Sequence, residues 1–297
     1  MNIVLLNNPN AGRGTGAAAA DRLALRLHEA GHEVTRLAAG RDLASQTLLG
    51  ALRTAKLLVA AGGDGTVHHA LPAIVESGIA VYHFPLGTEN LFTREFGMTS
   101  DPEQLVRAIE RWRIRVCDAG ECNGRLFSLM ASVGFDACVV ERVAAGRRGG
   151  VTRGDYVRCA MNELMNARVA RMSVRVDGRP LVDDAHGLLV VANSRQYAAR
   201  LDPALHADMS DGKLDMVFFP YRTSVGLARW LLAIAMGMHM NVRGVIAATG
   251  ARVEVETDQG WPLQVDGEAG GNVPERTSGG FGLDVRVLPG VLKVLTP

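Results

Sequence analysis

An α/β domain built on a parallel sheet over residues 1–120, followed by a mostly antiparallel β domain over 121–297, is the architecture that this chain's patterning predicts. Short apolar runs alternate with helical segments through the first 120 residues, the rhythm of a parallel sheet covered by helices on both faces. Beyond residue 120 strand-like runs follow one another with a hairpin signal among them and only two helical interruptions. At 297 residues and 47% hydrophobic composition, the chain has enough apolar side chains for a core in each part.

The elements can be justified in chain order. "NIVLLN" (2–7) is the first strand. "TGAAAADRLALRLHEAG" (15–31) is a helix by its alanines and by the spacing of Leu23, Leu27 and Ala30, with Gly31 as its stop. "HEVTRLA" is the second strand, "DLASQTLLGALRTA" a helix capped by Asp42, and "KLLVAA" the third strand. The helix expected after residue 64 is one that Pro72 should shorten or kink. "IAVYHFP" (79–85) is the fourth strand, and "SDPEQLVRAIERW" starts a helix with a cap residue, Pro102 in the first turn and Gln104 behind it. In the second part, "RMSVRVDGRPLVDDAHGLLVVANS" is two strands around a turn at Asp177-Gly178. "GKLDMVFFP", "ARVEVETD", "PLQVDGE" and "LDVRVLPGVLKVLTP" are further strands, and helices are expected over 151–169 and 223–241. A cleft between the two parts is the default place for a ligand.

Several function classes drop out on composition. A net charge of +1 supplies no field that would draw the whole chain to nucleic acid. Cys117, Cys122, Cys138 and Cys159 form no C-x-x-C pair, which fits free thiols better than a zinc site or a disulfide scaffold. Met1 runs straight into an apolar strand without the pattern of a signal peptide. "VGLARWLLAIAMGMHMNV" (225–242) contains Arg229 and His239 and is shorter than the ~20 residues of a membrane span. The expectation is a cytoplasmic protein.

The chemistry concentrates in "LLVAAGGDGTVHHAL" (57–71). Gly62, Gly63 and Gly65 surround Asp64 between a strand and a helix, the place where open α/β sheets bind ligands. Such glycines let backbone N–H groups turn toward a phosphate, with the helix N-terminus behind them. Thr66 is expected to cap that helix. A carboxylate beside phosphate makes sense when Mg²⁺ lies between the two. "NNPNAGRGTG" (7–16) and "PLGTEN" (85–90) are two more polar glycine loops at the same ends of neighbouring strands. His68-His69 read as the start of the helix behind the loop. The apolar stretch 223–241, with Trp230, reads as a core or interdomain helix, acyl-chain contact being the sharper alternative. "GRRGGVTRGDY" (146–156) is a basic glycine-rich loop suited to solvent or to anionic headgroups.

Taken together, Asn8-Pro9 with Gly12, the run from Gly62 to Thr66, and "PLGT" (85–88) with Asn90 resemble the diacylglycerol kinase catalytic family, which includes sphingosine, ceramide and bacterial lipid kinases. "FSLMASVGFDA" (127–137), "DGKLD" (211–215) and "LQVDGE" (263–268) occur in that family's order, so the resemblance spans nearly the whole chain. NAD kinases share "GGDGT"; the later motifs favour the lipid-kinase side.

The resemblance implies a two-domain architecture of the lipid kinase and NAD kinase type. It implies that ATP phosphates and ribose are held by Asn8, Gly62, Gly63, Asp64, Gly65, Thr66, Val67, His68 and Thr88, with Asp64 organising Mg²⁺-nucleotide. It implies Glu268 as general base, and a structural Mg²⁺ at Asp211 aided by backbone carbonyls of Asp208 and Lys213. Glu268 is expected in a mobile glycine-rich loop. The implied partner is a membrane lipid, with peripheral and transient contact with the membrane surface, a homodimer as the oligomer to consider, and no nucleic acid. Three positions depart from the family: Leu91 where an aspartate is usual, Leu37 where some members carry threonine, and Leu129 where asparagine is common. Asp118 in "CDAG" is retained and is expected to bridge the domains. The reading is an ATP-dependent lipid kinase acting on a diacylglycerol- or sphingoid-type hydroxyl. Its rivals are an NAD kinase-like enzyme with a soluble acceptor, and a non-catalytic nucleotide- or lipid-binding member.

Overall fold

The structure, a computed structural model, describes residues 1–40, 45–146, 152–166, 168–276 and 280–297. Contacts divide the chain into two compact units, one of Met1–Asp118 with Gly290–Pro297 and the other of Ala119–Pro289.

In the first unit, β1 (Asn2–Asn7) is followed by α1 (Gly16–Glu29), β2 (Glu33–Ala38), α2 (Ser45–Leu52), β3 (Leu57–Gly62), α3 (Asp64–Ser77), β4 (Ala80–Pro85), α4 (Leu91–Phe96), α5 (Pro102–Arg111) and the start of β5 (Arg113–Cys122), whose last four residues belong to the second unit. The strands pair in parallel in the order β2-β1-β3-β4. All six residues of β3 are buried, as a central strand covered on both faces requires. Helix α1 lays Ala20, Leu23 and Leu27 against the sheet, and α3 does the same with Val67, Ala70, Leu71 and Ile74. Asp101 caps α5 through Glu103 N, with Pro102 in the first turn, as its sequence predicts. The order of these strands changes winding direction between β1 and β3, which opens a crevice at their carboxyl ends.

Two expectations about α3 are corrected. The helix runs on through Pro72 to a length of 14 residues and is not shortened there. Loss of one N–H and the ring's crowding cost about 3 kcal/mol, and the buried Leu71, Ala73 and Ile74 beside it outweigh that. Thr66 does not cap the helix: the N-cap is Gly63, no side-chain cap bond is made, and Thr66 lies inside the first turn. The cap expected at Asp42 lies outside the described residues.

The second unit contains β6 (Arg125–Phe127), β7 (Met130–Val133), α6 (Phe135–Ala145), α7 (Arg153–Met165), β8 (Ala170–Val176), β9 (Arg179–Ala192), β10 (Leu214–Pro220), α8 (Ser224–Ala235), β11 (Ile246–Gly250), β12 (Arg252–Thr257), β13 (Pro262–Val265), β14 (Glu268–Asn272) and the start of β15 (Phe281–Thr296). Its strands pair antiparallel in the order β14-β13-β7-β9-β8-β12-β15, and β10 joins β9 to β11. Met172, Val174, Leu189, Met216, Phe218, Val255, Leu263 and Val285 meet in its core. The hairpin expected at Asp177-Gly178 is present, with φ of 49° and 77° at the two turn residues, the pair of positive angles that a two-residue turn of this hand needs. The far end of β15 pairs in parallel with β4 through Lys293 and Val294, which places residues 290–297 in the first unit.

Helix α6 has no counterpart in the sequence reading. Its Val139, Val140 and Val143 favour strands by propensity, but all three are buried in a helix that packs on β7, β13 and β14. Helix α8 is shorter than expected. It ends at Ala235, and Gly237, at φ 66°, turns the chain into a separate 3-10 turn at His239–Asn241. Of the basic stretch 146–156, residues 147–151 lie outside the described residues, and Thr152 with Asp155 forms the capping box of α7.

Candidate functional site

Three polar loops leave the carboxyl ends of β1, β3 and β4. The loop after β1 is drawn in by Asn8, whose N–H donates to Ala61 O and whose Oδ1 accepts from Asn10 N at 3.0 Å. The loop after β4 is closed by Asn90, which accepts from Gly87 N and donates to Gly87 O, each at 2.9 Å. The loop after β3 passes so near it that a Cβ on Gly87 would lie 2.5 Å from Gly63 Cα, and one on Gly62 only 2.1 Å from Thr66 Oγ1. Glycine is therefore required at both positions by space, not by φ.

The result is a cradle of backbone at the N-terminus of α3. No side chain caps this helix; Thr66 N donates to Gly63 O at 2.9 Å, which leaves the N–H groups of Asp64 and Gly65 at the helix start without an intrahelical partner, an arrangement that suits an anion. Thr66 Oγ1 is buried and has no hydrogen-bond partner among the described residues. A buried hydroxyl left unsatisfied is costly, and a phosphate oxygen would satisfy it. Asp64 accepts from Phe92 N at 3.0 Å through Oδ1, tying the loop to the start of α4; among the described residues its other oxygen takes no hydrogen bond. Beneath the loop, fully buried His83 donates from Nε2 to Gly62 O at 3.0 Å. Burial holds its pKa below the ordinary histidine value, with the Asp64 charge opposing, so the ring is neutral.

Asn8, Gly62, Gly63, Asp64, Gly65, Thr66 and Thr88 thus fall on this one loop cluster, Thr88 on its exposed rim. Val67 turns its side chain into the core and has only backbone to offer a ligand. His68 lies half-buried in α3 with its ring against His69; neither starts the helix, which begins at Asp64. Leu91 is buried, so the second carboxylate usual at this point is replaced by an apolar side chain. Asp118 accepts from Gly290 N at 2.8 Å, a bond made inside the first unit.

In the second unit, Glu268 is the first residue of β14, directly after a two-residue turn of Asp266 and Gly267 at φ 51° and 81°. It is a strand residue next to a tight turn, not part of a loose loop, and its half-exposed carboxylate makes no hydrogen bond or ion pair among the described residues. The turn is pinned from both sides. Asp266 is buried, and its carboxylate accepts from Ser128 N at 2.8 Å, Ser128 Oγ at 3.2 Å, Leu129 N at 2.7 Å and Met130 N at 3.1 Å. Gln264 accepts from Gly267 N at 2.9 Å. Close by, Asp136 accepts from Ser132 Oγ at 2.6 Å and from Tyr197 OH, and also bonds Gln264. Burial pushes the Asp136 carboxyl above the usual range against those bonds, and it pushes the Tyr197 phenol well up, the Asp136 charge adding to it.

Asp208, Asp211 and Lys213 share one turn leading into β10. Asp208 Oδ1 accepts from Ser210 N and Oγ at 3.0 and 2.7 Å, and Asp211 Oδ1 accepts from Lys213 N at 3.0 Å. Burial raises the pKa of neighbouring Asp215, with the Asp211 charge adding to it. Backbone carbonyls and carboxylates in an acidic turn are hard oxygen donors, which fit Mg²⁺. Among the described residues no cluster of three acidic, histidine or cysteine side chains forms a metal site, so any such ion would depend on the carbonyls.

Sequence reasoning did not single out Asp266, Gln264, Asp136, Tyr197 or His83. The Asp-Gly dipeptide of the turn was the available signal for Asp266, and Asp136 and Gln264 lie inside the quoted motifs 127–137 and 263–268; Tyr197 and His83 show themselves only through partners remote in sequence.

Residues 2–122 match the model of the diacylglycerol kinase catalytic domain, and residues 130–296 match that of the YegS C-terminal NAD kinase beta sandwich-like domain. A diacylglycerol kinase of Mycobacterium tuberculosis is 27% identical over 303 residues, covering 99% of this chain and 95% of that protein. The fold is like that of a diacylglycerol kinase from Bacillus anthracis, with a TM-score of 0.76 at 19% identity over 100% of this chain and 96% of the other. It is also like an NAD kinase from Archaeoglobus fulgidus in complex with ATP, with a TM-score of 0.59 at 15% identity over 100% and 94% of the two chains.

Proposed function

This chain belongs to the family that joins a diacylglycerol kinase catalytic domain to a YegS-type C-terminal domain, and we propose that it is an ATP-dependent kinase of a membrane lipid bearing a free hydroxyl, of the diacylglycerol or sphingoid kind. The observation that carries this reading is the backbone cradle at the switch point of the parallel sheet, where Gly63 and Gly87 approach each other and Thr66 Oγ1 is buried without a partner among the described residues. A triphosphate supplies the acceptor oxygens that this cradle lacks. The outward N–H groups of α3 and the Thr66 hydroxyl bind phosphate oxygens, while Asp64, held by Phe92 N through one oxygen, has the other for Mg²⁺. When bound, Mg²⁺ neutralises phosphate charge.

Glu268 is the base. Its carboxylate has no other partner among the described residues, and the tight turn before it fixes its position. It takes the proton of the lipid hydroxyl; the freed oxygen forms a bond to the γ-phosphorus as the bond from that phosphorus to the bridging oxygen breaks, releasing ADP. Rate enhancement rests mainly on positioning and charge stabilisation. At Asp211, Mg²⁺ would be structural, with the carbonyls of Asp208 and Lys213. No helix among the described residues is long and apolar enough to cross a membrane.

The test is turnover of labelled ATP with Mg²⁺ across diacylglycerol, sphingosine, ceramide and NAD, for wild type and Glu268→Gln. A lipid product is expected, with kcat in the variant lower by about 10²- to 10⁴-fold and ATP affinity unchanged. Phosphorylation of NAD alone would move the chain to the soluble-acceptor class. Turnover of none of the four would make it a binding protein. A variant with wild-type kcat would leave Glu268 a turn residue.

A further inference from the structure

Helices α7 and α8 pack against each other in the second unit, and their outward faces invert the usual pattern of a surface helix. On α7, Val157, Met161 and Met165 recur every four residues along one side; on α8, Val225 and Leu232 lie two turns apart on one side, with Met236 at the C-cap one turn further, and all six are between 53% and 80% exposed. The inward sides are complete without them: Cys159 and Glu163 on α7 and Leu227, Trp230, Ala233 and Ile234 on α8 are buried, and Trp230 Nε1 donates to Pro220 O at 2.7 Å. A water-facing helix ordinarily places polar groups where these side chains stand, and a group of exposed apolar residues on neighbouring helices marks an interaction surface.

The charges on this surface say what it meets. Helix α8 contains no acidic residue. The two acids of α7 are both occupied: Glu163 is buried between Arg142 and Arg168 at 2.7 and 3.0 Å, and Asp155 closes the capping box and pairs with Arg158. Arg229 on α8 and Arg222 just before it are exposed, and neither has an acidic partner among the described residues. A face that is apolar and cationic, with every acid neutralised, suits the boundary between anionic headgroups and acyl chains. Methionine and leucine side chains adapt to such a disordered partner.

We infer that the joined faces of α7 and α8 form the membrane-docking surface of this protein, seating the second unit on an anionic bilayer. The inference rests on the reading that the acceptor is a membrane lipid, and it names how the enzyme reaches that acceptor. It is tested by sedimentation, without ATP, on vesicles of phosphatidylcholine alone and of phosphatidylcholine with phosphatidylglycerol. Wild type, Met161→Glu with Leu232→Glu, and Met161→Ser with Leu232→Ser are compared. Wild type is expected to partition onto the phosphatidylglycerol vesicles, less onto phosphatidylcholine alone, and less at high salt. Both double variants should lose about tenfold or more in partitioning with an unchanged melting temperature, since the substituted side chains are exposed. Their turnover on vesicle-embedded lipid should fall while turnover on detergent-dispersed lipid holds. Wild type that stays off both vesicles, or variants that bind as wild type does, would overturn the proposal. So would a wild-type dimer that both variants convert to monomer, because the face would then cover a second copy. Vesicle binding needs no turnover: binding lost by both variants in a protein without kinase activity would uphold the docking face and refute only the reaction.

Discussion

Gly87→Ala asks whether the two glycine loops must touch for the phosphates to be held. A Cβ at this position would lie 2.5 Å from Gly63 Cα, 2.8 Å from Asn90 Oδ1 and 3.3 Å from Gly63 N. Carbon atoms in good contact are about 3.5–4.0 Å apart, so the loops have to separate by about 1 Å. Neither obstacle can step aside: Gly63 is backbone, and Asn90 is locked to Gly87 by two hydrogen bonds. An error of about 1 Å in a positioned reaction costs about 10²-fold in rate, equivalent to about 2.7 kcal/mol of transition-state stabilisation. Stability should fall by only about 1 kcal/mol, the low end for overpacking, because Gly87 is exposed and the loop can move outward. The assay is kcat/KM for ATP at saturating lipid, with a melting curve alongside. Gly63→Ala is the companion, since its Cβ would meet Gly87 Cα at 3.3 Å and needs a far smaller shift. Wild-type kcat/KM in Gly87→Ala, or a larger loss in Gly63→Ala, would refute the reasoning.

Three further outcomes follow from the geometry. Asp266→Asn puts an N–H₂ where a carboxylate oxygen receives backbone N–H groups, so unfolding in urea should show a loss of about 2–3 kcal/mol; an unchanged midpoint would mean the turn needs no clasp. Asp211→Ala should reduce the rise in melting temperature that Mg²⁺ produces in wild type, and an equal rise in both proteins would remove this turn from the account. His83 gives a pH dependence: above about pH 6.5 both folded and unfolded chains carry it neutral. Below that value the unfolded chain takes up a proton that the buried ring resists, so stability falls as pH drops toward the depressed folded-state value. In His83→Gln this acid limb should flatten by up to about 1.4 kcal/mol per pH unit, read from denaturant unfolding between pH 7 and pH 5; parallel limbs would show that His83 takes up its proton without penalty.

What could be read along the chain is what neighbours in sequence decide. The glycines around Asp64, the alternation of apolar runs and helices, the cap at Asp101 and the turn at Asp177-Gly178 all act within a few residues, so their patterns carry over to the fold unchanged. The candidate site of the first unit was legible for the same reason, each loop being marked by its own glycines at a strand end. Thr66 shows the limit: its type suits a cap, but the backbone of Gly63 takes the cap position and leaves the hydroxyl buried, open for a ligand. Pro72 shows another, for the burial of its neighbours overrides a local preference. The decisions that no local pattern contains are those made across long separations. Asp266 is fixed by Ser128, 138 residues away, and the last strand joins the first unit because Lys293 and Val294 meet Ala80 and Val81. The outward apolar faces of α7 and α8 belong here too. An apolar stretch such as 223–241 can be assigned to a helix from its composition, but which side chains face inward depends on what packs beneath it, and packing is settled only when the whole chain has closed its cores.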